Sequence, residues 1–153
     1  FTFPAGTYVC EVEVDPETGV VKVEKFTAVD DFGKIINPMI VEGQVHGGLT
    51  QGIGQALTEG CRYDDASGQL LNGNLADYLV PMALEMPDIV CAHIETPTRQ
   101  SQLGAKGVGE AGTAGAPGAV MNAVNDALSP LNARVTSMPF TPERILRALG
   151  KVT

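Results

Sequence analysis

Apolar and polar positions alternate over residues 7–14 and again over 20–29, and the two runs flank Asp15-Pro16-Glu17-Thr18-Gly19. Period-two alternation on either side of a Pro- and Gly-containing turn predicts a β-hairpin. Asp30-Asp31-Phe32-Gly33-Lys34 then breaks the second strand. Asn37-Pro38 predicts a helix start, with Asn37 as N-cap and Pro38 at the first helical position. Over 39–59 the apolar residues Val41, Val45, Leu49, Ile53 and Leu57 recur every four positions, one stripe on a helix. Gly43, Gly47, Gly48, Gly52 and Gly54 sit among them, and each interior glycine costs about 1 kcal/mol against alanine. Close packing against another backbone is the expected reason. Room for a large ligand beside the helix is the alternative.

Further along, 62–71 reads as a strand end, a turn and a new strand, whereas 75–80 carries no clear period. Residues 89–95 predict a strand with Val90, Ala92 and Ile94 on an apolar face and His93 and Glu95 on the other. Ala116-Pro117 opens a helix running to about Leu128, which Pro130 stops. A short strand is expected over 134–137. Thr141-Pro142-Glu143 caps a last helix that ends at Gly150. Strands and helices mix without a βαβ rhythm, so the expected class is α+β, a mixed sheet with packed helices in a single domain over 1–153.

Composition narrows the partners. A formal net charge of −8 lacks the basic footprint of a nucleic-acid-binding chain. No apolar run approaches the roughly 18 residues of a membrane-spanning helix, and the first residues lack the basic region of a signal peptide. Charged residues make up only 18%, which predicts that part of the surface is covered by something else. The chain begins almost directly in a strand without a start Met and is read as a piece of something longer or as a processed product. Cys10, Cys61 and Cys91 form no Cys-x-x-Cys pair and are expected to be reduced core thiols in the cytoplasm. With His46 and His93 they show no metal-ligand spacing, and no metal ligand is assigned.

The strongest candidate for chemistry is the run 104–115, where Glu110 stands alone among glycines. An apolar or anionic neighbour would raise a carboxylate there toward the range of a useful general base; a flexible loop with a solvated glutamate is the bland alternative. Gly107-x-Gly109-x-x-Gly112 matches the dinucleotide fingerprint, but the loop does not follow its strand at once, and Asp126 falls inside a predicted helix. Lys106 reads either as a phosphate contact or as a solvated loop lysine.

Two segments together carry a resemblance. Asp30-Asp31-Phe32-Gly33-Lys34-Ile35-Ile36-Asn37-Pro38 runs into Glu42-Gly43-Gln44-Val45-His46-Gly47-Gly48, and Gly104-Ala105-Lys106-Gly107-Val108-Gly109-Glu110 follows. In this order and separation they resemble the C-terminal part of the large, molybdopterin-binding subunit of the molybdenum hydroxylases. This is the xanthine dehydrogenase and aldehyde oxidase family, and the phrasing is closest to its carbon monoxide dehydrogenase-like branch. The resemblance implies molybdopterin cytosine dinucleotide as cofactor and oxidative hydroxylation of a small substrate with water-derived oxygen, Glu110 acting as general base on Mo–OH. It places Gly43, Gln44, Lys106, Gly107, Val108 and Gly109 against the cofactor. Asp30, Asp31 and Asn37 are weaker matches that shape the turn before the helix.

It further implies that the remainder of the molybdenum subunit, and iron–sulfur clusters and FAD on partner domains or subunits, complete the enzyme. No iron–sulfur cysteine pattern is present here, so electrons would leave through another domain, and the isolated chain is expected to be inactive. A non-catalytic assembly domain of the same fold lacking the cofactor is the competing expectation.

Overall fold

The computed structural model describes residues 2–153 and contains one three-stranded sheet, β1 (Ala5–Val14), β2 (Val21–Asp31) and β3 (Asp88–Ile94), in that order. β1 and β2 form the predicted antiparallel hairpin, with a bulge between Glu11 and Val12. β3 joins the other side of β2 in parallel, Phe26 facing Ile89 and Asp30 facing His93. A parallel partner requires a long crossover. That crossover holds helix α1 (Pro38–Leu57) and an irregular excursion ending in a short 3₁₀ turn at Ala83–Glu85. Helices α2 (Ala116–Leu128) and α3 (Pro142–Ala148) complete the mixed α+β layout.

Strand alternation decides what the sheet buries. Val23, Phe26 and Ala28 of β2 point inward and meet Val45, Leu49 and Ile53 of α1 and Val120, Val124 and Leu128 of α2. Phe140 and Ile145 close the core at the C-terminal end. The four-residue stripe on α1 is therefore the buried one, with Val41 and Leu57 partly covered at its ends. The helix begins as expected: Asn37 Oδ1 accepts from the Ile40 amide at 3.2 Å, and Pro38 occupies the first turn. Asn37→Ala should cost about 1 kcal/mol of local stability. The check is faster hydrogen exchange at Ile40 than in the parent protein; unchanged exchange would show that the cap is idle.

The glycines of α1 split into two groups. A Cβ at Gly48 would overlap the Ala111 carbonyl oxygen, one at Gly52 would press on Ala116 at 2.6 Å, and one at Gly54 would press on Pro81 at 2.8 Å. These three are packing glycines, as expected. Gly43 and Gly47 have nothing within 4 Å of a Cβ.

Three sequence expectations are corrected. β3 turns Ile89 and Cys91 toward the core, while Val90 and Ile94 lie on the exposed face. The register explains this: Ile89 and Cys91 are level with the inward Phe26 and Ala28. Residues 134–137 form no strand, because the Asn125 side chain takes the place of a strand partner. Its Nδ2 donates to the Val135 carbonyl and its Oδ1 accepts from the Val135 amide, each at 2.9 Å. Cys61 is exposed rather than in the core, and burial pushes the Cys10 thiol up to about 11. The low charge has a visible counterpart in the excursion after α1, where Leu75, Leu79, Met82 and Leu84 are exposed, Leu84 at 97%.

Candidate functional site

The glycine loop is attached to the rest of the fold at several points. Its first part runs antiparallel to the end of β2: Gly33 bridges Ala105, the Lys34 amide donates to the Gly104 carbonyl at 3.0 Å, and the Lys106 amide donates to the Phe32 carbonyl at 2.8 Å. Gly33 and Gly104 adopt φ of 63° and 73°, and a Cβ on Gly33 would overlap the Gly104 oxygen. Glycine serves both needs, a left-handed backbone and close approach.

Asp31 holds this crossing together. Its Oδ1 accepts from the Gly33 amide at 2.8 Å and the Thr96 amide at 3.1 Å, and it lies 3.1 Å from Lys106 Nζ. Hydrogen bonding from Thr96, then from the Gly33 amide, with Lys106 adding to both, holds the Asp31 carboxyl well below the usual carboxylate range. Lys106 is accordingly not a solvated loop lysine: its side chain is 14% exposed and its ammonium is committed to Asp31.

The second part of the loop turns at 108–111, the Ala111 amide donating to the Val108 carbonyl at 3.1 Å, and then packs on α1. Thr113 Oγ1 donates to the Gly48 carbonyl at 3.0 Å, and Gly112, with φ of 85°, lies close to Val45 and Leu49. α2 follows at once, with Pro117 in its first turn. Glu110 stands on the exposed side of this turn, between the Lys106 and Gly112 attachments. Gln44 is exposed on α1 four residues before Gly48, the helix position that meets Ala111. Residues four apart share a helical face, so Gln44 stands one turn above the loop contact on the same side. Gly107 and Gly109 are exposed, Val108 is partly buried, and a Cβ on Gly109 would meet nothing within 4 Å.

The predicted site residues thus come from two elements that touch, α1 and the glycine loop. Gly43 and Gly47 on α1 and Gly109 on the loop each have open space where a side chain would stand. An extended ligand with phosphate and pterin groups needs such open glycine backbone together with polar side chains at its margin, and these residues fit one. His46 and His93 lie on different elements, and no group of three or more His, Cys, Asp or Glu residues suited to a metal ion occurs among the described residues. The dinucleotide fingerprint lacks its topology: the loop follows an edge strand of a three-stranded sheet, after residues 95–103, and Asp126 is exposed on α2.

One contact was missed by sequence reasoning. Tyr8, on the inner face of β1, donates to Asp30 Oδ1 at 2.5 Å and accepts from the Gly112 amide at 3.0 Å. Burial, then the bond to Asp30, pushes the Tyr8 phenol up to about 12, and burial raises the Asp30 carboxyl above its ordinary value. Strand parity was the available signal, since Phe26, Ala28 and Asp30 share the inward face and a carboxylate there requires a donor.

Comparison with known proteins gives the family and the shared fold. The molybdopterin cofactor-binding domain family matches residues 1–87. The nicotine 6-hydroxylase large subunit of Paenarthrobacter nicotinovorans is 49% identical over 146 residues, 95% of this chain and 18% of that protein. The structure of reconstituted CO dehydrogenase from Oligotropha carboxidovorans superposes with a TM-score of 0.90 at 42% identity, over 96% of this chain and 18% of that one. Quinoline 2-oxidoreductase from Pseudomonas putida 86 superposes with a TM-score of 0.88 at 48% identity, over 93% of this chain and 18% of that one. The chain therefore spans less than a fifth of the length of these relatives. With the family match over more than half its length and its fold shared almost end to end, the chain belongs to the molybdopterin cofactor-binding domain family, as carried by the large subunits of molybdenum hydroxylases.

Proposed function

We propose that this chain is the part of a molybdenum hydroxylase large subunit that presents the general base Glu110 to the molybdenum centre and lines one side of a molybdopterin cytosine dinucleotide. The observation that carries the reading is the junction of the glycine loop with α1. Glu110 is exposed there between two tied-down loop segments and beside Gly109, while Gly43 and Gly47 leave open backbone on α1. When bound, the molybdenum cofactor supplies the two-electron oxidation and activates the oxygen that enters the substrate.

The protein's share is placement. The Glu110 carboxylate takes up the proton released as that oxygen reacts, which requires hydrogen-bond reach and a fixed loop. The Gln44 amide, both donor and acceptor, orients the pterin, and the backbone of Gly43 and of 106–109 lies against the cofactor. The Lys106 ammonium neutralises Asp31 rather than a phosphate, so Lys106 contributes to cofactor binding through its main chain.

The rest of the subunit and iron–sulfur and flavin partners complete electron transfer in this reading, and the substrate is a small molecule. No helix among the described residues is long and apolar enough to cross a membrane. The proposed location of the complex is the cytoplasm. The test is the metal and nucleotide content of the native assembly containing this chain. The expected result is stoichiometric molybdenum, with cytidine monophosphate released on acid hydrolysis. An assembly without molybdenum would overturn the catalytic reading and leave a non-catalytic assembly domain.

A further inference from the structure

Asp30 and Asp31 are adjacent at the end of β2, and strand alternation sends their side chains to opposite faces of the sheet. The two carboxylates nevertheless serve the same loop. Asp31 reaches its beginning through Lys106, 3.1 Å away, with the ion pair largely shielded from solvent at 14% and 16% side-chain exposure. Asp30, 3% exposed, accepts from the Tyr8 hydroxyl, and that hydroxyl accepts from the Gly112 amide beyond the turn. Glu110 lies between the two anchors, four residues after Lys106 and two before Gly112.

Space has been cleared for the second anchor on both sides. Gly6 is the strand partner of Asp30, and a Cβ there would overlap the Asp30 carboxylate. A Cβ on Gly115 would overlap the Tyr8 ring. Tyr8 also packs on Phe26 with ring centroids 6.3 Å apart, so the hydroxyl that holds Gly112 is borne on a ring set in the core. A turn that needed only to be a flexible glycine linker would need neither anchor.

We infer that Tyr8 and the Asp30–Asp31 pair are positioning residues for the Glu110 turn, clamping the loop from both faces of the sheet so that its carboxylate is held at a fixed place against the cofactor face of α1. The inference rests on the assignment of Glu110 as the base. Its distinct content is that the loop is pre-organised by β1 and β2, elements that carry none of the assigned cofactor contacts. Displacing a catalytic group by about 1 Å can lower a rate about 100-fold, so a clamp of this kind affects turnover more than substrate binding.

The test uses the complete, molybdenum-loaded enzyme carrying Tyr8→Phe, which keeps the ring and removes the hydroxyl. The expected result is a kcat lowered about 10- to 100-fold, KM within about twofold, and molybdenum content as in the parent. Hydrogen exchange over 108–113 should also be about tenfold faster, because the Gly112 amide has lost its acceptor. Parental kcat with parental exchange overturns the inference. If Tyr8→Phe does not accumulate, Lys106→Met applies the same test from the other anchor: faster exchange over 104–109 with reduced kcat supports the clamp, and unchanged exchange overturns it. Glu110→Gln separates the two ideas. If that variant turns over normally, the base assignment fails and the clamp is judged by exchange alone. If it is inactive while Tyr8→Phe is parental in both measurements, the clamp fails and the base assignment stands.

Discussion

Glu110→Gln in the complete enzyme is expected to lower kcat by about 10²- to 10⁴-fold without loss of molybdenum, the range associated with removing a positioned general base. Glutamine matches glutamate in shape and cannot take up the proton. The effect on the fold should be small because Glu110 is exposed, and the loop's anchors are the Lys106–Asp31 pair, the Gly112 amide on Tyr8 and Thr113 on Gly48. None of these uses the Glu110 carboxylate. The measurement is steady-state turnover beside metal analysis of the same preparation. Parental turnover would take Glu110 out of the chemistry. Loss of molybdenum together with turnover would instead make it a cofactor-retention residue.

The second large effect comes from one methyl group added at either of two neighbouring glycines. Gly48→Ala would drive its Cβ into the Ala111 carbonyl oxygen, with the Thr113 amide and hydroxyl each 3.1 Å away. Those are mostly backbone atoms that cannot swing aside, so the cost is that of overpacking, about 1–3 kcal/mol. The shift would also push the loop off α1 and lower turnover. Gly47→Ala meets nothing within 4 Å, and replacing a helical glycine should stabilise the helix by up to about 1 kcal/mol. Its effect should fall on cofactor content, since Gly47 lies one helical turn from Gly43, whose backbone is assigned to the cofactor. Hydrogen exchange across α1 and molybdenum analysis distinguish the two. Equal protection of α1 in Gly48→Ala and the parent would contradict the packing of the loop on this helix.

Much of this architecture was legible because local signals agreed with one another. The hairpin rests on alternation plus a turn, α1 on an N-cap with Pro38 and a four-residue stripe, and α2 and α3 on prolines in their first turns. What stayed hidden depends on distant partners. The face that β3 buries is set by its register against β2, which is invisible within 89–95. Strand-like residues at 134–137 found a side-chain partner in Asn125 instead of a strand. At the candidate site, the motif pointed to Gln44 and Glu110, while Lys106 looked like a free cation until Asp31 was seen beside it. Tyr8 carried no motif, since its importance lies in a hydrogen bond to a residue 104 positions away.

The parallel pairing of β3 also has a consequence for the order in which the molecule assembles. β1 and β2 are joined by a short turn, whereas β2 ends at Asp31 and β3 begins at Asp88. Closing a segment of that length carries an entropic penalty of roughly 3–4 kcal/mol, which is repaid only after the strand has docked. The hairpin is therefore expected to form early, and β3 to dock late. The crossing of the glycine loop with β2 follows β3 in the chain and uses the Thr96 amide just beyond it. Glu110 then reaches its place only when nearly all the rest of the domain is built, and a population of molecules with a formed hairpin and helices can still have an unassembled site.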